Sequence, residues 1–334
     1  LHSIINSYRT PFWLERKHWY VTCDYTISAS SSQVLLYTKP VNIDNCQILI
    51  RCQALSTDGI CYFTKYQSNE KDQNNEKETL TKLHIGGNHI ELQGIQRLTN
   101  ASEKNTTLTI LDLHDNQIGD EGIEYFCNSL KNTLTLTSLD LSSNQIGVPG
   151  VRYMADLLEN NSTLTTLNLR FNYIDDDGIE SLADTLRANK TLTTLNLSNN
   201  QITCIGARYL ADALQKNIAV TILDLAPNQI GMMGAKHLTN MLQTNSTLMM
   251  LNLWSNRIKD KGAEYLASVL ETNKTLTALD IGSNHIGDDG AEYLAHALQT
   301  NRTLSTLNLQ HNSVTNSFIQ RINELIKKNL SNDS

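Results

Sequence analysis

The densest group of potential cation ligands in the chain is Asp175-Asp176-Asp177-Gly178. Carboxylates ahead of a glycine suit calcium, a hard cation that takes oxygen donors. A calcium loop, however, spaces its donors at alternate positions and closes with a bidentate glutamate. Tyr173 and Ile174 stand where donors would be required, and no glutamate follows at the required distance. The acids are expected instead at a helix N-terminus, where the backbone dipole favours negative charge, as are Asp288 and Asp289. The six cysteines, Cys23, Cys46, Cys52, Cys61, Cys127 and Cys204, contain no CxxC pair and no His/Cys cluster at zinc spacing, which reads as reduced thiols. The sequence shows no nucleophile with a neighbouring base and no phosphate loop, so a non-enzymatic protein without metal or cofactor is expected.

What remains is recognition chemistry. Trp254 stands in LNLWSNRIKDKGAEYL where the sister phrases LDLSSNQIGVPGVRYM and LNLSNNQITCIGARYL carry serine. Neighbouring slots vary in the same way: His114 and Asp115, Arg170 and Phe171, Ala226 and Pro227, Trp254 and Ser255, Gln310 and His311. A rigid scaffold carrying variable residues makes a binding surface, and Trp, Tyr and Arg are its usual energetic anchors. Trp254, Arg170, Phe171, Tyr173, Arg257, His114 and Asp115 are therefore the candidate partner-binding residues. By contrast the slot filled by His84, Asp112, Asp140, Asn168, Asn196, Asp224, Asn252, Asp280 and Asn308 is almost uniformly short and polar, which points to a need of the scaffold itself.

That scaffold is periodic. Asn88, Asn116, Asn144, Asn172, Asn200, Asn228, Asn256, Asn284 and Asn312 stand 28 residues apart without an insertion. Such a period is the signature of a solenoid. Each copy opens LxxLxL, as in Leu164, Leu167 and Leu169, with the alternation of a strand, and after a glycine turns to helical spacing, as in Ala263, Leu266, Ala267 and Leu270. Strands joined by helices at so short a repeat must stack side by side as a parallel sheet lining an arc. The asparagine fits a buried turn because an amide both donates and accepts, so a structural asparagine ladder is expected through the array. The fold class is α/β: a right-handed solenoid of nine 28-residue strand-helix units with an inner sheet and outer helices.

LTTLNLSNNQITCIGARYLADALQKN, residues 192–217, resembles the leucine-rich repeat of the ribonuclease inhibitor type, found also at the C-terminal end of NOD-like receptors and in Ran GTPase-activating proteins. The resemblance covers residue 79 to about residue 330 and implies a horseshoe that binds a protein partner on its concave face. It also raises two alternatives. One is the recognition arm of an F-box or NOD-like receptor type adaptor whose upstream domain lies outside this chain. The other is a GTPase activator for a Ran-like GTPase, with Arg170 as a charge-stabilising finger.

The boundaries read as a small strand-rich segment over 1–66, a polar linker over 67–79, and the repeat domain over 80–330 with a capping helix over 315–328. Strand patterns in the first segment are HWYVTCDYTI, SQVLLYTKPV and CQILIRCQAL, and PFWLERKHWYVTCDY resembles segments that follow an F-box. The sequons at Asn161, Asn245, Asn273 and Asn301 recur with the repeat and report the period rather than secretion. Tyr125, Tyr153, Tyr209, Tyr265 and Tyr293 recur likewise and read as outer packing. A net charge of −7 without a basic stripe argues against nucleic acid. No apolar run reaches membrane-spanning length and no signal peptide opens the chain, so a monomer in an intracellular, cytoplasmic setting is expected.

Overall fold

The computed structural model describes residues 23–27, 34–38, 81–102, 106–130 and 135–331. Near the N-terminus β1 (Cys23–Ile27) pairs antiparallel with β2 (Val34–Thr38), within the first two of the three strand patterns; CQILIRCQAL lies outside the described residues. The array follows as β3 (Lys82–His84), α1 (Glu91–Ser102), β4 (Ile110–Asp112), α2 (Gly119–Leu130), β5 (Ser138–Asp140), α3 (Val148–Asn160) and β6 (Thr166–Asn168). It continues through α4 (Asp176–Leu186), β7 (Thr194–Asn196), α5 (Cys204–Leu214), β8 (Ile222–Asp224), α6 (Gly231–Leu242) and β9 (Met250–Asn252). The final elements are α7 (Lys259–Leu270), β10 (Ala278–Asp280), α8 (Asp288–Leu298), β11 (Thr306–Asn308) and α9 (Asn316–Ser331). Strands β3 to β11 form one parallel sheet in chain order, each paired with the next at a shift of 28 residues.

Curvature follows from widths. Parallel strands sit about 4.8 Å apart whereas packed helices need about 8 to 10 Å, so stacking them in step bends the array with the sheet inside. The core between the layers is one continuous cluster in which Leu167, Leu169, Ile174, Ile179 and Leu182 are fully buried, repeated copy after copy. No single unit could bury that face alone, which is why stability is a property of the stack.

Three polar rows stitch the copies. Asn116 Nδ2 donates to Leu113 O (2.9 Å) in its own copy and to Ile85 O (3.0 Å) in the preceding one, while its Oδ1 accepts the N–H groups of Asn88 (3.0 Å) and Ile90 (3.2 Å). The backward bond recurs at Asn144, Asn172, Asn200, Asn228, Asn256, Asn284 and Asn312. A second asparagine row sits at the other end of the strands. Asn189, Asn217, Asn245, Asn273 and Asn301 are buried; each Nδ2 donates to a carbonyl 31 residues back, and each Oδ1 accepts the N–H two and three residues on. The sequon asparagines Asn245, Asn273 and Asn301 thus have the amide nitrogen already engaged. The third row is of threonines: Thr109, Thr137, Thr165, Thr193 and Thr221 each donate a hydroxyl to the carbonyl one copy back.

The helices are coupled as well. Asp176, in the first turn of α4, accepts the N–H groups of Thr203 and Gly206 (both 2.8 Å) at the start of the next helix, and Asp120 and Asp260 do the same for theirs. In the run DDDG the labour is divided: Asp175 caps its own helix by accepting from Asp177 N and Gly178 N, and Asp176 caps the one after. A Cβ on Gly290 would stand 2.7 Å from Asp260 Oδ1, so the glycine of the repeat is what admits the acid. The helices therefore begin ahead of that glycine, not at it, because the capped turn must precede it.

The terminal helix corrects the expected 315–328 span: it starts at Asn316 and runs to Ser331. Its extension has a reason in the second asparagine row, since Asn329 Nδ2 donates to Leu304 O (3.0 Å) and holds the last turn against the final strand.

Candidate functional site

The inner face is built by alternation. Leu251 and Leu253 point into the core, which turns Met250, Asn252 and Trp254 to solvent. From Asp112 to Asn308 the short polar residue of each strand accepts the backbone N–H two residues on, as Asn168 does from Arg170 (3.1 Å), Asn252 from Trp254 (3.0 Å) and Asp280 from Gly282 (2.9 Å). This side-chain turn ends the strand and explains the slot's uniformity.

The next outward slot reads Gly86, His114, Ser142, Arg170, Ser198, Ala226, Trp254, Gly282 and Gln310. Each large residue is flanked by small ones. A Cβ on Gly282 would lie 2.6 Å from Trp254 Cδ1, so the indole leans over the following copy, and His114 leans back over Gly86 in the same manner. Trp254 is accordingly half-buried on a glycine seat, and the scaffold is fitted to it.

One slot further the backbone is left-handed. Asp115, Ser143, Phe171, Asn199, Ser255, Ser283 and His311 have φ between 52° and 59°, a conformation that small polar residues tolerate and bulky ones resist. Phe171 nevertheless holds φ 53° with its ring 51% exposed, and the Arg170 guanidinium lies 4.6 Å from the ring centroid. Tyr173 is 59% exposed beside it. Arg257 is exposed, also at positive φ. Arg170 and Trp254 share one row three strands apart, about 14 Å by strand spacing. The seven candidates thus fall at three places on one rim: His114 and Asp115, then Arg170 with Phe171 and Tyr173, then Trp254 with Arg257.

The first place carries a charge cluster. Asp112 accepts from His114 Nδ1 (2.7 Å) and His84 Nδ1 (3.1 Å). Burial alone would raise its pKa, but hydrogen bonds from His114 and His84 outweigh it and hold the carboxyl below its ordinary value. A carboxylate more acidic in the fold than in the unfolded chain adds stability above its unfolded pKa of about 4, lost as pH falls through the folded value. Asp112→Asn should therefore flatten the acid limb of a melting-temperature profile below about pH 4; an unchanged limb would contradict this.

Some exposed residues escape a search for aromatics and arginines. Met249 and Met250 are 47% and 45% exposed, and Met249 breaks the threonine row: Thr277 donates its hydroxyl to the Met249 carbonyl, but the Met249 side chain has no hydroxyl to pass on. Aligning the copies by their period exposes the break; residue type alone does not. Among the described residues no three His, Cys, Asp or Glu side chains could hold a metal, and no helix is long and apolar enough to cross a membrane. Two shallow depressions, one lined by Asp260, Lys261, Glu264, Asp289, Glu292 and Tyr293 and the other by residues of the last copy, do not include Trp254 in their linings.

Nine parallel strands alternating with helices at a fixed spacing, with varied side chains on a solvent-facing sheet, define a leucine-rich-repeat solenoid. The family model described as "Leucine Rich repeat" matches residues 76–98, 104–127, 134–155, 160–183, 188–211, 244–267, 272–295 and 300–317, and the chain belongs to this family. The matches pass over the copy that starts near Asn217, where Ile218 and Ala219 replace the usual polar pair. No curated protein matches the chain. Among solved structures it is similar to "Leiomodin-1 Actin-Binding Site 2 (ABS2)", at 26% identity and a TM-score of 0.42 over 47% of this chain and 90% of that one. It is also similar to the tropomodulin C-terminal domain of Caenorhabditis elegans, at 13% identity and a TM-score of 0.39 over 46% and 92%. The family is in general one of protein-interaction modules rather than enzymes.

Proposed function

We propose that this chain is a non-catalytic docking module of the ribonuclease inhibitor type, whose inner rim of Trp254, Arg170, Phe171, Tyr173, Arg257, His114 and Asp115 holds a protein partner. Phe171 carries the reading: a bulky aromatic is kept exposed in a left-handed slot that most other copies give to Ser, Asn, Asp, Gly or His. Strain retained where the scaffold does not need it is accounted for by a ligand. A stiff arc loses little freedom on binding, so its contacts convert efficiently into affinity. The domain division at 66 and 79 and the monomeric, cytoplasmic setting belong to the same proposal.

Affinity capture from a native extract tests it by comparing the wild type with a folded Trp254→Ala, Arg170→Ala double variant. A protein retained by the first and lost by the second is the expected result, and equal recovery would overturn the rim assignment. Phe171→Asn gives a second test because stability and binding should move in opposite directions. Relief of the left-handed strain should stabilise the fold by about 1 kcal/mol while capture weakens. A destabilised variant would mean that the ring belongs to the packing.

A further inference from the structure

We infer that the inner face across β8, β9 and β10 recognises an arginine set among apolar residues of the partner, with Trp254, Asp224 and Asp280 as contacts of the guanidinium. This rests on the docking reading above and adds the chemistry of what docks.

Three parallel rows carry the inference. In register across the strands lie Ile222, Met250 and Ala278, an apolar row at a level where neighbouring copies present Ser138, Thr166, Thr194 and Thr306. The next row is Asp224, Asn252 and Asp280. The third is Ala226, Trp254 and Gly282, with the indole laid over the glycine. Two carboxylates, about 10 Å apart by strand spacing, thus stand between an apolar strip and an aromatic ring. Partners of both acids within the chain are neutral: Ala226 N (3.0 Å) and the Asn252 side chain for Asp224, and Gly282 N and Asn308 Nδ2 (both 2.9 Å) for Asp280. Neither carboxylate is in an ion pair among the described residues.

The electrostatics agree with the geometry. Burial raises Asp224 above the ordinary carboxylate pKa, hydrogen bonds from Ala226 and Asn252 and the charge of Arg170 pull it back, and Asp280 pushes it up further. The net effect is a carboxylate whose charge is under-compensated at neutral pH. A cation arriving there donates charge-assisted hydrogen bonds to the acids and gains the attraction of the indole face. Guanidinium fits better than ammonium because it is planar, stacks on aromatic rings and sheds water more readily. Ile222, Met249, Met250 and Ala278 then cover the apolar flanks, with the methionines adapting to their shape. Nucleic acid is disfavoured at the same surface, since the acids repel phosphate.

The test uses the full chain and two synthetic heptapeptides, one with an arginine between leucines and one with neutral, near-isosteric citrulline in its place. Binding is read from the indole N–H resonance of Trp254, identified as the one lost in Trp254→Phe. The arginine peptide should shift that resonance and bind about ten-fold more tightly than its citrulline twin. An Asp224→Asn, Asp280→Asn variant should erase the difference while the resonance keeps its folded position. Equal affinity of the two peptides for the wild type would overturn the cation assignment and leave the apolar docking surface standing. An unshifted Trp254 with both peptides would overturn it too, and the capture experiment then separates the readings: partner loss in the rim variant keeps the docking face, and equal recovery removes both.

Discussion

Asn144→Ala is expected to destabilise the array by about 4 kcal/mol, since four hydrogen bonds vanish and each buried group left alone costs roughly 1 to 3 kcal/mol. The amide donates to Leu113 O (2.8 Å) and Ser142 O (3.0 Å) and accepts from Asn116 N (3.1 Å) and Ile118 N (3.3 Å). Asn144 is fully buried, so water cannot take over without opening the turn. Part of the loss will be recovered by backbone shifts, which is why the sum stays below four full penalties. Because neighbouring copies are the unit of stability in a solenoid, the damage should spread to both sides. Urea denaturation gives the magnitude, and amide exchange at Asn116 and Ile118 gives the location. A change below about 0.5 kcal/mol, the usual range for surface substitutions, would show that the ladder is ornamental.

Asn217→Ala should cost about 3 to 4 kcal/mol by the same reasoning at the opposite end of the strands. Asn217 Nδ2 donates to Leu186 O (2.7 Å) and Asn189 O (3.0 Å), and Oδ1 accepts from Ala219 N (2.9 Å) and Val220 N (2.8 Å). Asn217→Asp is the informative companion. A carboxylate keeps the two accepted bonds but cannot donate to the carbonyls, so it should lie nearer to the alanine variant than to the wild type. Thermal melts of the three proteins check this order, and an aspartate variant as stable as the wild type would contradict it. Asn144 and Asn217 share no hydrogen-bond partner, so their effects should add.

These two rows show how far sequence carries. Period, strand and helix were legible because leucine spacing is dictated by burial, and the structure has the parallel sheet and alternating helices that spacing demands. The second asparagine row was present in the sequence yet concealed, because Asn-x-Thr also spells a glycosylation motif. Asn217 breaks the disguise: it is followed by Ile218 and Ala219, keeps no threonine, and still makes every bond of the row.

At the candidate site the varied residues stood out, but their relations did not. Nothing local to Trp254 announces that Gly282, a full copy later, is its seat. Serine in the sister copies makes Trp254 look like a residue placed where the scaffold is indifferent; the structure has it half-buried over a neighbour that lacks a side chain. The strain at Phe171 is likewise a backbone property, invisible until φ is known. Asp224 and Asp280 were read only as part of a structural slot, since their role depends on which apolar residues the register sets beside them.

The acid that reaches from one helix to the next is missing twice in succession. Cys204 and Met232, like Leu92 and Val148 earlier in the array, take the place held by Asp120, Asp176, Asp260 and Asp288, and α6 and α7 start without a side-chain cap. The longest run of copies without that acid thus lies directly behind the stretch of sheet that bears Trp254. There the register of successive helices is held by the packing of Ala207, Leu210, Ala235 and Leu238 without help from an acid that crosses between copies.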